Sequence, residues 1–138
     1  MIFDPIFPKA TALPRPGQPP LRVTRSYHPA HNIGHFRFLE CSALKSAHQP
    51  DGDLVAWDEV YFPFHPALAE AGQALQREEI RRWRNTQSVW IEEAYECDAQ
   101  GIITATINNQ TTGYRRTFRI RQESQPSFPK SIAAVTET

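Results

Sequence analysis

The stretch Ile91-Glu92-Glu93-Ala94-Tyr95-Glu96-Cys97-Asp98-Ala99-Gln100-Gly101-Ile102-Ile103-Thr104-Ala105-Thr106-Ile107 decides the fold class. Ile91, Tyr95 and Cys97 recur on one side of an alternating run, the two-residue period of a strand with one buried face. Asp98 to Gly101 supplies a turn, with glycine where a positive φ is wanted. The run Ile102 to Ile107 alternates again and is rich in β-branched residues, which suit a pleated surface. Asn108 to Gly113 makes a second turn, and Tyr114 to Ile120 a third strand with Phe118 and Ile120 on one face. Three closely spaced antiparallel strands predict a meander within a sandwich.

Upstream, Leu21 to Ser26 alternates, Tyr27 to Asn32 reads as a turn, and Ile33 to Glu40 puts Phe36 and Phe38 on one face. Together these predict a β-hairpin. Lys45 to Asp53 is polar and turn-rich, and Leu54 to Phe64 reads as a further strand. Pro66 to Arg84 predicts an α-helix, because proline suits the first turn and Leu68, Ala71 and Leu75 share a face. Residues 1–20 are proline-rich, with Ile2, Phe3, Ile6 and Phe7 able to form a short edge strand. Residues 122–138 read as a polar, flexible tail. The expected fold class is mainly β: an antiparallel β-sandwich over 21–121 with one inserted α-helix at about 66–84.

Length and charge bound the function. A chain of 138 residues with 15 basic and 15 acidic side chains has a net charge of +0. That balance gives no general pull toward nucleic acid or an anionic membrane. The N-terminus has no signal-peptide pattern, and no apolar run approaches the roughly 18 residues of a membrane span. A cytoplasmic setting follows as the expectation. There, Cys41 and Cys97 could pair, although buried free thiols are the commoner state.

Catalytic chemistry finds little footing. His28, His31, His35 and Cys41 fit no familiar zinc spacing, and a strand would hold His31 and His35 about 13 Å apart. Glu92 and Glu93 cannot face one substrate, since adjacent strand residues point to opposite sides, and with Glu96 they read as solvated strand residues. Ser42, Ser46 and Ser88 lie in no nucleophile elbow. Arg81, Arg82 and Arg84 with Trp83 form a basic–aromatic patch whose field Glu78 and Glu79 offset. The expectation is a non-enzyme with no cofactor and no metal.

The stretch from Ile91 to Ile107, followed by Thr111-Thr112-Gly113 and the strand Tyr114 to Ile120, resembles the end of the peptide-binding β-domain of DnaK-like (70-kDa heat-shock) chaperones. There the pattern is Ile-Glu-Val-Thr-Phe-Asp-Ile-Asp-Ala-Asn-Gly-Ile-Leu, then a turn ending in Thr-Gly or Ser-Gly and a last strand. Ile6-Phe7-Pro8-Lys9-Ala10-Thr11-Ala12-Leu13-Pro14 is similar to the family's Ile-Pro-Arg-Asn-Thr-Thr-Ile-Pro. The likeness covers residues 88–121 well and 5–64 loosely. No counterpart is seen for the ATPase domain, the helical lid or the family's first β-strand, and the 66–84 segment is an insertion. Glu93 stands where the family prefers an apolar side chain, and Gly34 where it prefers valine.

The resemblance implies binding of extended apolar polypeptide segments. Carried over by position, Phe36 and Ile91 would line the pocket with Val23 and Gly34 nearby, while Tyr27 and His31 would lie in a loop arching over the peptide. Phe36 and Ile91 at alternating positions more often serve as core residues in a sandwich, whereas the loop aromatic Tyr27 suits either use. Expected partners are an unfolded or extended polypeptide and an ATPase domain or another protein. Sheet edges left open by a missing strand would also suit a homodimer. The alternative is a protein–protein interaction module that uses the inserted helix, through Trp83, against a fixed partner.

Overall fold

A computed structural model describes residues 2–46, 49–120 and 131–137. Eight strands run in chain order: β1 Ile2–Phe7, β2 Leu21–Tyr27, β3 Ile33–Ser46, β4 Gln49–Pro63, β5 Ile91–Cys97, β6 Ile103–Asn109, β7 Arg115–Ile120 and β8 Ser131–Glu137. They form two four-stranded antiparallel sheets, ordered β1-β8-β3-β4 and β2-β5-β6-β7. The mainly-β antiparallel sandwich is therefore as expected, and so are the meander β5-β6-β7 and the edge strand β1.

The alternating residues of the meander explain its place. Ile91, Tyr95, Cys97, Ile103, Ala105, Ile107 and Ile120 pack into one core with Phe36, Phe38, Phe62 and Ile132 of the other sheet. Both turns have the chemistry the sequence implies. Gly101 has φ 80° and Gly113 φ 79°, values that glycine adopts without steric cost. Asp98 Oδ1 accepts the Gln100 and Ile102 amides at 2.9 and 3.0 Å, and Asn109 Oδ1 those of Thr111 and Thr112 at 3.1 and 3.2 Å. These side-chain acceptors satisfy turn amides that no ladder reaches.

Three expectations are corrected. First, β2 and β3 do not form a hairpin: they lie in different sheets, so the turn Tyr27 to Asn32 carries the chain across the sandwich. Second, no α-helix spans 66–84. Two short 3₁₀ segments, Pro66–Leu68 and Gly72–Arg77, stand there instead. Gly72 adopts φ +57°, outside helical space, and Leu75 alone is buried along the second segment. One anchoring side chain gives a helix too little packing, and short helices depend on packing more than on propensity. Asn32 holds this connection to the body: its Oδ1 accepts the Arg81 amide at 2.7 Å, and its Nδ2 donates to the Glu79 carbonyl at 3.1 Å.

Third, the expected C-terminal tail contains β8, which pairs with β1 on one side and β3 on the other. Ile132 and Ala134 face the core between the sheets, while Ala133 and Val135 join Phe3, Cys41 and Leu39 in a second apolar cluster. A strand buried on both faces has a near-continuous apolar run rather than alternation, and Ile132-Ala133-Ala134-Val135 is such a run. Among the described residues, no helix is long and apolar enough to cross a membrane.

Because β8 joins β1 to β3, a chain ending at residue 130 should lose both its cooperative thermal transition and β1's protection from hydrogen exchange. A truncated chain that melts like the full one in circular dichroism would refute the central role of β8.

Candidate functional site

The residues assigned to the peptide slot are brought together only in part. Tyr27 and Ile91 are cross-strand partners. Phe36 meets Phe64 edge-on with ring centroids 6.1 Å apart, and Tyr27 meets the same ring at 6.3 Å. Gly34 lies beneath it, so that a Cβ there would stand 2.4 Å from Phe64 Cζ. Val23 is half-buried further along β2, opposite Tyr95. His31, beside Asn32 in the chain, bridges to Arg82, and burial together with the Arg82 charge holds its pKa below the usual histidine value.

The slot is filled. Phe36 and Ile91 are both 0% exposed, and Phe64 occupies the space a ligand side chain would need. Phe64 is fixed from two sides: its amide donates to the Asn32 carbonyl at 2.9 Å, and its carbonyl accepts from Asn109 Nδ2 at 3.0 Å. Asn109 is itself 1% exposed, so this anchor is a buried hydrogen bond of the kind that is costly to leave unmade. Phe36, Gly34 and Ile91 are thus interior packing, and the expectation of an open pocket between them is corrected.

What the described surface offers in its place lies on the outer faces of the sheets. On the first sheet, Phe3 pairs across the strands with Val135, and Leu39 with Ala133. These residues and Cys41 form an apolar cluster separate from the interior core. An antiparallel sheet in a sandwich needs one apolar face, and its other face is commonly polar. The cluster is closed to solvent, with Cys41 and Ala133 both buried, so entry requires neighbouring groups to move.

A second feature escaped the sequence reading. Glu93, expected on a solvated face, points inward and is 5% exposed. The Tyr95 hydroxyl donates to its Oε1. The Tyr27 hydroxyl is buried close by without meeting hydrogen-bond geometry, although it still bears on the titration of Glu93. Arg25, the cross-strand partner of Glu93, turns its guanidinium instead to Asp4 of the other sheet, with Nε and Nη2 donating at 2.9 and 3.2 Å. Burial holds the Glu93 carboxyl above its ordinary 4.5, against the opposing pull of the two tyrosine hydroxyls and Arg25. The signal was present in the alternation, because Glu93 shares its parity with Ile91, Tyr95 and Cys97.

The histidines considered for metal have separate partners: His28 Nδ1 contacts the Val89 carbonyl at 2.9 Å, and His35 Nε2 contacts Glu59 at 2.5 Å. Among the described residues, no group of three metal-ligating side chains converges. Cys41 and Cys97 are free and buried. Burial raises both thiols, and with Asp98 it pushes Cys97 up to about 11.

No family model matches this chain, and no curated protein matches it either. Among solved structures, a scytalido-glutamic peptidase with a transition-state analog inhibitor is similar at 14% identity and a TM-score of 0.33, over 99% of this chain and 66% of that one. The chain thus spans just under two thirds of that protein's length, and a likeness this loose carries no conclusion about fold or activity.

Two variants test the interior. Gly34→Ala should cost about 1–3 kcal/mol in denaturant unfolding, because the new methyl group must displace a pinned Phe64 ring. Glu93→Gln tests the buried carboxyl. A raised pKa means that the stability from its neutral form is complete below the unfolded value and is lost as pH rises through the folded one. Thermal melts should therefore move in the variant's favour as pH increases; profiles that run parallel from acid to alkaline pH would contradict a buried titrating Glu93.

Proposed function

We propose that this chain is a non-catalytic binding module for extended apolar polypeptide segments, taken up as an added strand at the edge strand β1. The observation that carries the reading is that β1 is an edge strand, backed by a buried apolar cluster with the half-buried Leu39 at its rim. Phe3, Leu39, Cys41, Ala133 and Val135 make a cluster the interior core does not use. The likeness of residues 88–121 to the peptide-binding domain of DnaK-like chaperones supports the same function, with the slot moved from the sandwich interior to its exterior. A partner ATPase domain would supply the motor such chaperones use, and a cytoplasmic setting suits two buried, unbridged thiols.

The energetics define what such a site must do. Burying one leucine-sized side chain contributes about 1.5–3 kcal/mol, whereas micromolar affinity needs about 8 kcal/mol. Main-chain hydrogen bonds must supply the rest, and β1 offers them as the edge strand beside the cluster.

A second reading rests on a different observation. The connection between β4 and β5 forms an open cleft of about 420 Å³ with Asn32, His65, Arg81 and Trp83 in its walls. The His65 and Trp83 rings lie 4.7 Å apart. A fixed protein partner docking there would make the chain an interaction module.

Fluorescence polarisation with a labelled heptapeptide centred on three leucines separates the two. Saturable micromolar binding that weakens at least tenfold in Leu39→Asp, with the melting temperature retained, supports the first reading, and Trp83→Ala should leave it unchanged. Binding abolished by Trp83→Ala but not by Leu39→Asp would favour the second, and no binding at millimolar peptide would sink the first.

A further inference from the structure

The second sheet presents the opposite kind of outer face. Its cross-strand register lays the outward residues in rows: Arg22, Glu96, Thr104 and Arg119; then Thr24, Ala94, Thr106 and Thr117; then Ser26, Glu92, Asn108 and Arg115. The middle row is made of small side chains. The rows on either side carry long ones, separated along β5 by four residues, or about 13 Å. The result is a trough of about 290 Å³ floored by Ala94 and Thr106 and walled by Arg22, Glu92, Glu96 and Arg115.

The lining has a definite chemistry. Two arginines face two glutamates, so the trough is formally neutral and offers neither a polyanion nor a polycation a net attraction. Ala94 is its single apolar side chain, which leaves little for a lipid or an apolar peptide. Arg22 Nη1 pairs with Glu96 Oε1 at 2.6 Å, and Glu92 Oε2 accepts from Gln110 Nε2 at 3.2 Å. These contacts hold both carboxylates in place while leaving their other oxygens unused. Among the described residues, the side chains of Thr104, Asn108 and Arg115 have no hydrogen bond or ion pair within the chain.

An independent observation extends the site. Trp90, one strand repeat beyond Glu92, is 45% exposed and is the sole large hydrophobic side chain so exposed among the described residues. It is held in place: its amide donates to Thr111 Oγ1 at 3.1 Å, its carbonyl accepts the Gln110 amide at 2.9 Å, and its ring lies 4.0 Å from that of His28. A held, part-exposed indole one strand repeat beyond a row of carboxylate, amide and guanidinium groups suits a ligand that is hydroxylated at its rim and apolar on its ring faces. Such a ligand is a pyranose.

We propose that the outer face of the second sheet binds a short neutral oligosaccharide, with one sugar ring stacked on Trp90 and its neighbours hydrogen-bonded across Glu92, Asn108 and Arg115 over the Ala94 floor. This site is independent of the peptide surface on the first sheet, and either can fail without the other. Aromatic stacking and amphipathic rings combine here as they do wherever one face of a ligand is dry and its edge is wet.

The test is titration of the full chain, isotope-labelled, with maltotetraose, cellotetraose, chitotetraose and mannotetraose, read by backbone amide shifts. At least one should shift Trp90, Glu92, Ala94 and Thr106 saturably. Trp90→Ala and Asn108→Ala should each weaken that binding at least tenfold without lowering the melting temperature. Asn108→Ala guards against a folding defect in the tryptophan variant, since Asn108 makes no side-chain bond within the chain. If none of the four sugars moves those amides at millimolar concentration, or a heparin tetrasaccharide moves them when no neutral sugar does, the proposal is overturned.

Discussion

The double burial of β8 is the constraint on which the rest depends. Its side chains alternate between two apolar environments, Ile132 and Ala134 toward the interior and Ala133 and Val135 toward the outer cluster. Its backbone completes ladders on both sides. Without it, β1 would have no partner and the first sheet would divide into a lone strand and a hairpin, and two-stranded pieces are marginal in water. The same strand also gives the first sheet its unusual second apolar face. Fold completion and the candidate peptide surface therefore share one short run of small and β-branched residues.

The two sheets are joined differently at their two ends. At the β4–β7 side the seam is aromatic, with Phe62 and Tyr114 rings 5.2 Å apart and Phe64 pinned by Asn109. At the β1–β2 side it is ionic, through Asp4 and Arg25 at 2.9 Å. That pair is partly exposed, with the Arg25 side chain 39% and the Asp4 side chain 30% accessible, so its own contribution to stability is modest. Its larger effect is on Glu93. An arginine engaged by Asp4 leaves its cross-strand neighbour without a counter-charge at contact distance, so desolvation raises the Glu93 pKa by more than the Tyr95 hydroxyl, which favours the carboxylate, lowers it.

Legibility from sequence followed physical type. The meander was readable because alternation, turn glycines and Asx-type acceptors all agree at Ile91 to Ile120. The segment 66–84 misled because proline, alanine and leucine spell helix locally, whereas Gly72 and the absence of a continuous buried face decide against it. β8 was missed for the opposite reason: a strand with two buried faces shows no alternation, and Ser131 and Thr136 dilute its apolar run. Tyr27, Gly34 and Phe36 all lie against Phe64, and nothing in their spacing could show that this residue, just past the end of β4, would pack between them. Glu93 lay on the correct parity for the core, and the rule that charges face solvent outweighed it.

The contrast between the two outer faces carries the functional argument further than either face alone. A sandwich built only for stability would make both exteriors polar and interspersed with charge, as the second sheet largely is. In this chain the far side of the first sheet carries a second, buried apolar cluster, while the outer face of the other sets small residues in a central row between two charged ones. Those choices are independent of the core, because they fall on the alternate residues that the interior never sees. The register that fixes Ile91, Tyr95 and Cys97 inward thus leaves Trp90, Glu92, Ala94 and Glu96 free to be chosen for whatever meets the outside of the molecule. A side-chain pattern the interior does not demand is where selection for binding has room to act.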